Sequence, residues 1–96
     1  MAYAYRLPVE IKLDRSPDLW RAIHEQLIPL YTLAPETQGR GIFLVLWFGG
    51  ANMPGPPSGK KPQNATELKA KLIELLSPQE QLLIDVIVLD VSKQTG

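Results

Sequence analysis

Apolar and polar residues alternate from Tyr3 to Leu13, with Tyr3, Tyr5, Leu7, Val9, Ile11 and Leu13 on one side and Arg6, Pro8, Glu10 and Lys12 on the other. A period of two predicts a strand with one apolar face. Pro8 has no N–H to give to a ladder, so that point of the strand belongs on an edge or beside a bulge. The alternation breaks at "DRSP", where Ser16 is the expected N-cap and Pro17 the expected first helical residue. Leu19, Ile23, Leu27 and Leu30 then recur at helical spacing. They predict a helix from Pro17 to about Tyr31, its last turn kinked or ended by Pro29.

Beyond the connection "TLAPETQGRG", the run from Gly41 to Phe48 is almost wholly apolar and reads as a strand covered on both faces. Residues 49–63 form a Gly/Pro-rich loop, of a length that in compact domains is functional or disordered. Asn64 with Glu67 resembles a capping box opening a helix to Leu76, with Leu68, Leu72, Leu75 and Leu76 as its stripe. Ser77 and Pro78 repeat the start signal for a short extra turn, and Leu82 to Ser92 is a β-branched closing strand. The string is β-α-β-α-β in a single domain, residues 1–96. It predicts an α/β layered fold of three-layer type with a short, mainly parallel sheet and right-handed crossovers.

Composition narrows the function classes. A chain of 96 residues supports one modest core. Its ten basic and ten acidic residues balance, so no global field draws it onto nucleic acid or anionic lipid, and any such contact is local. With no cysteine there are no disulfides, thiolate zinc sites or thiol nucleophiles, which suits a reducing cytoplasm. No secretory signal is visible, and "IFLVLWF" is far shorter than the roughly 20 residues of a membrane helix, so no membrane partner is expected.

The candidate chemistry starts at Glu10 and Lys12, side by side on the face of the strand opposite Val9 and Ile11. A carboxylate can bind Mg²⁺, and a neighbouring lysine can orient or deprotonate the water that attacks a phosphodiester. A Glu-x-Lys on a half-exposed strand is otherwise a solvated pair contributing under about 1 kcal/mol. Gln26 alters the balance, because it projects near the apolar stripe of the next helix, where an amide needs partners. Either a backbone carbonyl of the neighbouring strand or the Glu10–Lys12 pair can supply them. Tyr31 falls along the same side.

The other candidates are weaker. His24, the one histidine, has no ligand partner at suitable spacing and reads as a surface or packing residue. Trp20 and Trp47 read as core. Lys60 and Lys61 are the best local phosphate contacts, though a loop pair is ordinarily solvated. Asp85 and Asp90 fall on opposite faces of the last strand, and Asp14 reads as a turn residue that could in principle serve as a ligand.

"PVEIK", the helix "DLWRAIHEQLIPLY", the strand "GIFLVLWFGG" and the closing "IDVIVLDVS" together resemble the later part of a PD-(D/E)XK, restriction endonuclease-like nuclease domain. The resemblance implies Mg²⁺- or Mn²⁺-dependent cleavage of DNA. By it, Glu10 is a metal ligand, the Ile11 carbonyl a second, Lys12 the catalytic lysine, and Gln26 with Tyr31 the supporting motif on the helix. The family places an acid on the strand before Glu-x-Lys, whereas "MAYAYRLPV" contains none. The chain is then the later piece of a larger or split domain, or another polypeptide supplies the acid, or the site is inactive. A missing opening hairpin would leave the first strand's outer edge free for a second copy, as a homodimer, or for a chain carrying the absent half. A non-catalytic interaction module docking through that edge is the alternative function.

Overall fold

The structure, a computed structural model, describes residues 8–29 and 40–92. In chain order they form β1 (Val9–Leu13), α1 (Ile23–Leu27), β2 (Gly41–Trp47), α2 (Ala65–Glu74), α3 (Pro78–Leu83) and β3 (Ile84–Asp90). The three strands make one wholly parallel sheet in the order β1-β2-β3. The α/β class, the element order and the parallel sheet are thus as the sequence predicts. The outer half of the predicted first strand, Leu30, Tyr31 and the connection 32–39 lie outside the described residues.

Among the described residues, helical packing is confined to one face of the sheet. Phe43, Val45 and Trp47 of β2 with Ile84 and Val86 of β3 form a single buried cluster with Leu19, Ile23 and Leu27 and with Leu68 and Leu72 of α2. Register places Glu10 beside Phe43 and Lys12 beside Val45, so both point to this helix-covered side. The apolar side of β1 is the open one. Val9 and Ile11 are exposed there, Ile11 to 57%, as are Ile87 and Leu89, around a half-buried row of Ile42, Leu44 and Leu46. The expected third layer is therefore lacking among the described residues, and β2 is fully covered on one face only.

The first helix differs from its prediction. Residues 17–21 are turns, and α1 is wound as a π-helix in which the Ile28 N–H returns to the Ile23 carbonyl. Pro29 cannot donate to the Glu25 carbonyl four residues back and its ring crowds it, so a wider turn suits this sequence better than a regular one. Ser16 does not cap the helix by its side chain. Its hydroxyl accepts from the Leu13 N–H at 3.0 Å, closing the turn back onto β1.

The later caps follow the sequence closely. Asn64 accepts from the Glu67 N–H, while Glu67 accepts from Gln63 rather than Asn64. Ser77 and Glu80 make a full capping box with Pro78 in the first turn.

Asp14 is fully buried at the end of β1. Its Oδ2 accepts from the backbone N–H groups of Phe48 at 2.7 Å and Gly50 at 2.9 Å, pinning the loop that leaves β2. Gly50 has φ +84, and a Cβ there would meet the Trp47 ring at 2.9 Å, so the turn requires glycine. Asp14→Ala would leave both N–H groups without an acceptor. It should cost about 1–3 kcal/mol in urea unfolding, with a smaller loss for Asp14→Asn, whose amide oxygen still accepts. Equal losses for the two variants would show that the clamp does not hold the loop.

Candidate functional site

The even residues of β1 carry the polar groups that face α1. Lys12 Nζ donates to Asp18 Oδ2 at 2.9 Å and stands 3.6 Å from Glu10 Oε2. Gln26 Nε2 donates to the same Asp18 oxygen. Glu10, Lys12 and Gln26 therefore converge, and the group that joins them is Asp18, in the turn that leads into α1. The side chains of Glu10, Lys12 and Asp18 are 20%, 16% and 24% exposed, so the cluster is largely covered yet reachable from solvent.

The local fold explains the convergence. Strand alternation puts Glu10 and Lys12 on one face two residues apart. The tight turn from Leu13 to Ser16 brings Asp18 back above Lys12, and the π-turn directs Gln26 to Asp18 while Ile23 and Leu27 stay buried. Of the two partners open to Gln26 in the sequence, it thus meets the charged cluster, through Asp18. Hydrogen bonding from Lys12, aided by Gln26, holds the Asp18 carboxyl below its ordinary value of 3.8, against the opposing effect of burial.

Asp18 was missed as a site residue in the sequence. An acid in the first turn of a predicted helix is ordinarily read as a companion to the helix dipole. The available signal was an acid between Lys12 and Gln26 in a segment that must fold back over the strand.

The Ile11 carbonyl has a defined direction. Bonds from Ile42 N–H to the Pro8 carbonyl and from Asp14 N–H to the Leu46 carbonyl bracket β1. Backbone groups alternate along a strand, so even residues bond to β2 and the Ile11 carbonyl points to the outer edge. Glu10, Asp18 and this carbonyl are hard oxygen donors. No group of three His, Cys, Asp or Glu that could hold a metal occurs among the described residues. Mg²⁺ takes one or two carboxylates and completes its shell with water and substrate phosphate, so Glu10 and the Ile11 carbonyl are donors of the right kind, without the third acid that a closed site needs.

The remaining candidates lie elsewhere. Lys60 and Lys61 are exposed and, with Lys71, Glu67 and Glu74, line an open groove of about 420 Å³ along α2. Because α2 packs on β3, the groove lies toward the β3 edge of the sheet, away from β1. His24 Nε2 lies 3.2 Å from Glu80 Oε1, a surface link between α1 and α3. Trp20 and Trp47 are buried, Trp20 donating its Nε1 proton to the Pro54 carbonyl at 2.8 Å. Asp85 sits on the open face, and Asp90 accepts from the Ser92 backbone and hydroxyl. Asp14 is committed to its loop. Tyr31 lies outside the described residues.

No family model, curated protein or solved structure matches the chain.

The Lys12–Asp18 contact can be weighed directly. Lys12→Met and Asp18→Asn, alone and combined, should give a coupling of about 1 kcal/mol at neutral pH in a double-mutant unfolding cycle. The folded-state value of Asp18 is depressed, so its contribution is full above 3.8 and is lost as pH falls through that folded value. A coupling that persists in acid, or is absent at neutral pH, would contradict the ion pair.

Proposed function

We propose that the chain carries the Glu-x-Lys part of a divalent-metal-dependent DNA nuclease site of PD-(D/E)XK type. The observation that supports this reading is the convergence of Glu10, Lys12 and Gln26 in one half-covered cluster. An ordinary solvated Glu-x-Lys pair does not call for an amide from the following helix. Glu10 and the Ile11 carbonyl would hold Mg²⁺ or Mn²⁺. The ion, when bound, supplies Lewis-acid polarisation of the phosphate and lowers the pKa of a water.

Lys12 is the mobile cation of the site, with three donors on a four-carbon stem. Beside a phosphodiester it donates to a phosphoryl oxygen and orients the attacking water. Gln26 donates to Asp18, and Asp18 in turn accepts from Lys12 and restrains it beside Glu10. On this reading Lys60 and Lys61, in the groove along α2, would meet phosphates farther along a DNA backbone rather than the scissile one.

Supercoiled plasmid with Mn²⁺ tests the reading. Nicking by the wild type should fall by about 100-fold or more in Glu10→Ala and Lys12→Ala. Cleavage that survives both substitutions overturns it.

A second reading, a non-catalytic interaction module, is favoured by the open apolar face and by β1 as an edge strand. Parallel sheets are normally covered on both faces. If the face is buried by a second copy, sedimentation equilibrium should show a dimer that Ile11→Glu converts to monomer. A wild type that stays monomeric at high concentration excludes the homodimer.

A further inference from the structure

We infer that two copies of this chain stack through their open sheet faces with strands antiparallel, so that Arg15 of each copy pairs with Asp85 of the other. The inference rests on the second reading above, in which the open face docks a partner. It is independent of the nuclease reading, because Glu10 and Lys12 point to the other face.

Three observations carry it. First, the face is apolar and continuous. Register sets three rungs on it, from Val9, Ile42 and Asp85 to Leu13, Leu46 and Leu89, and Asp85 is the one position in them that is not apolar. In plan the face measures roughly 15 by 20 Å, side-chain relief apart. A contiguous apolar patch of that size marks an interaction surface. Second, the two charges of this face stand unpaired at diagonal corners. Asp85 is exposed at the amino end of β3. Two residues beyond Leu13, past the carboxyl end of β1, the Arg15 guanidinium lies 5.2 Å from the centre of the Phe48 ring, and Phe48, 44% exposed, continues the row of Leu46. Neither charge has an ion-pair partner among the described residues. Third, the formal charges of the chain cancel, so two copies approach without net repulsion.

An acid enclosed in an apolar contact is costly unless a cation meets it. A face with an acid at one corner and a base at the diagonal corner is complementary to a second copy of itself, turned end for end about a two-fold axis. Stacked sheets lie about 10 Å apart with their strands inclined by about 30°. In the antiparallel sense, that arrangement carries each Arg15 to the Asp85 of the other copy. With strands parallel, the two amino ends would meet instead, and the cation at that end is Arg40, the exposed residue just before β2.

Sedimentation velocity on the full chain, from micromolar to millimolar concentration, separates these arrangements. Arg15→Glu, Asp85→Arg and Arg40→Glu would be compared with the wild type, each checked for folding by thermal unfolding. The wild type should dimerise, and Arg40→Glu should leave the dimer unchanged. Arg15→Glu and Asp85→Arg should each weaken it about tenfold or more, since each sets two like-charged pairs across the two-fold axis. An equimolar mixture of these two variants should form a heterodimer of wild-type affinity, because each contact then joins an acid to a base. A dimer indifferent to both reversals, or weakened by Arg40→Glu, overturns the antiparallel alignment and leaves the second copy standing as the partner. Failure of the mixture to restore the dimer that each variant has lost overturns the Arg15–Asp85 contact. A wild type that stays monomeric throughout overturns this inference together with the homodimer.

Discussion

Everything in this molecule follows from strands that run in one direction and lie side by side in chain order. A right-handed crossover between parallel neighbours leaves the sheet always on the same side. With the order β1-β2-β3, both crossovers bring their helices to one face. That constraint creates a single core, on the side of Phe43, Val45 and Trp47, and an opposite face without helical cover among the described residues. It also decides which side of β1 looks at α1, and so where Glu10 and Lys12 must find their partners.

The charged side of β1 is covered because β1 is held in register with β2, whose own side chains alternate in step. Burying part of a Glu and a Lys against a helix would be costly without compensation. Compensation comes locally, from an acid in the turn and an amide on the next helix. Ion pairing at the sheet margin, with some solvent access, avoids the larger desolvation of a deep charge. The cluster is thus a consequence of topology as well as a candidate for chemistry. Its composition, two acids and an amide about one lysine, goes beyond what neutralising the lysine would need.

Much of the fold was legible in the residues, and the site was legible in part. The strands around Leu44 and Ile87 and the Ser77–Pro78 start signal carry strong local cues, and these elements form as expected, with Glu80 completing a capping box at Ser77. Alternation in β1 separated its two faces correctly but held no information on which face the helices would take, since that depends on crossover handedness and register. The π-turn was hidden because an apolar stripe at Leu19, Ile23 and Leu27 fits a regular helix nearly as well. Ser16 is ambiguous for a related reason: a hydroxyl before a helix can bond forward as a cap or backward to close a turn, and here it does the latter. Gln26 is legible because an amide beside an apolar stripe demands partners. Asp18 is not legible, because an acid at a helix start is already accounted for by the helix dipole.

The outward direction of the Ile11 carbonyl has a consequence for assembly. The outer edge of β1 is where another strand would pair, and there it would bond to carbonyls of the odd residues, Ile11 included. On the proposed reading, a cation held by Glu10 would draw on that same oxygen. Pairing at the edge and cation binding would then be thermodynamically linked, and each would change the other's affinity by the same factor. One peptide oxygen would thus join the chain's oligomeric state to its metal occupancy.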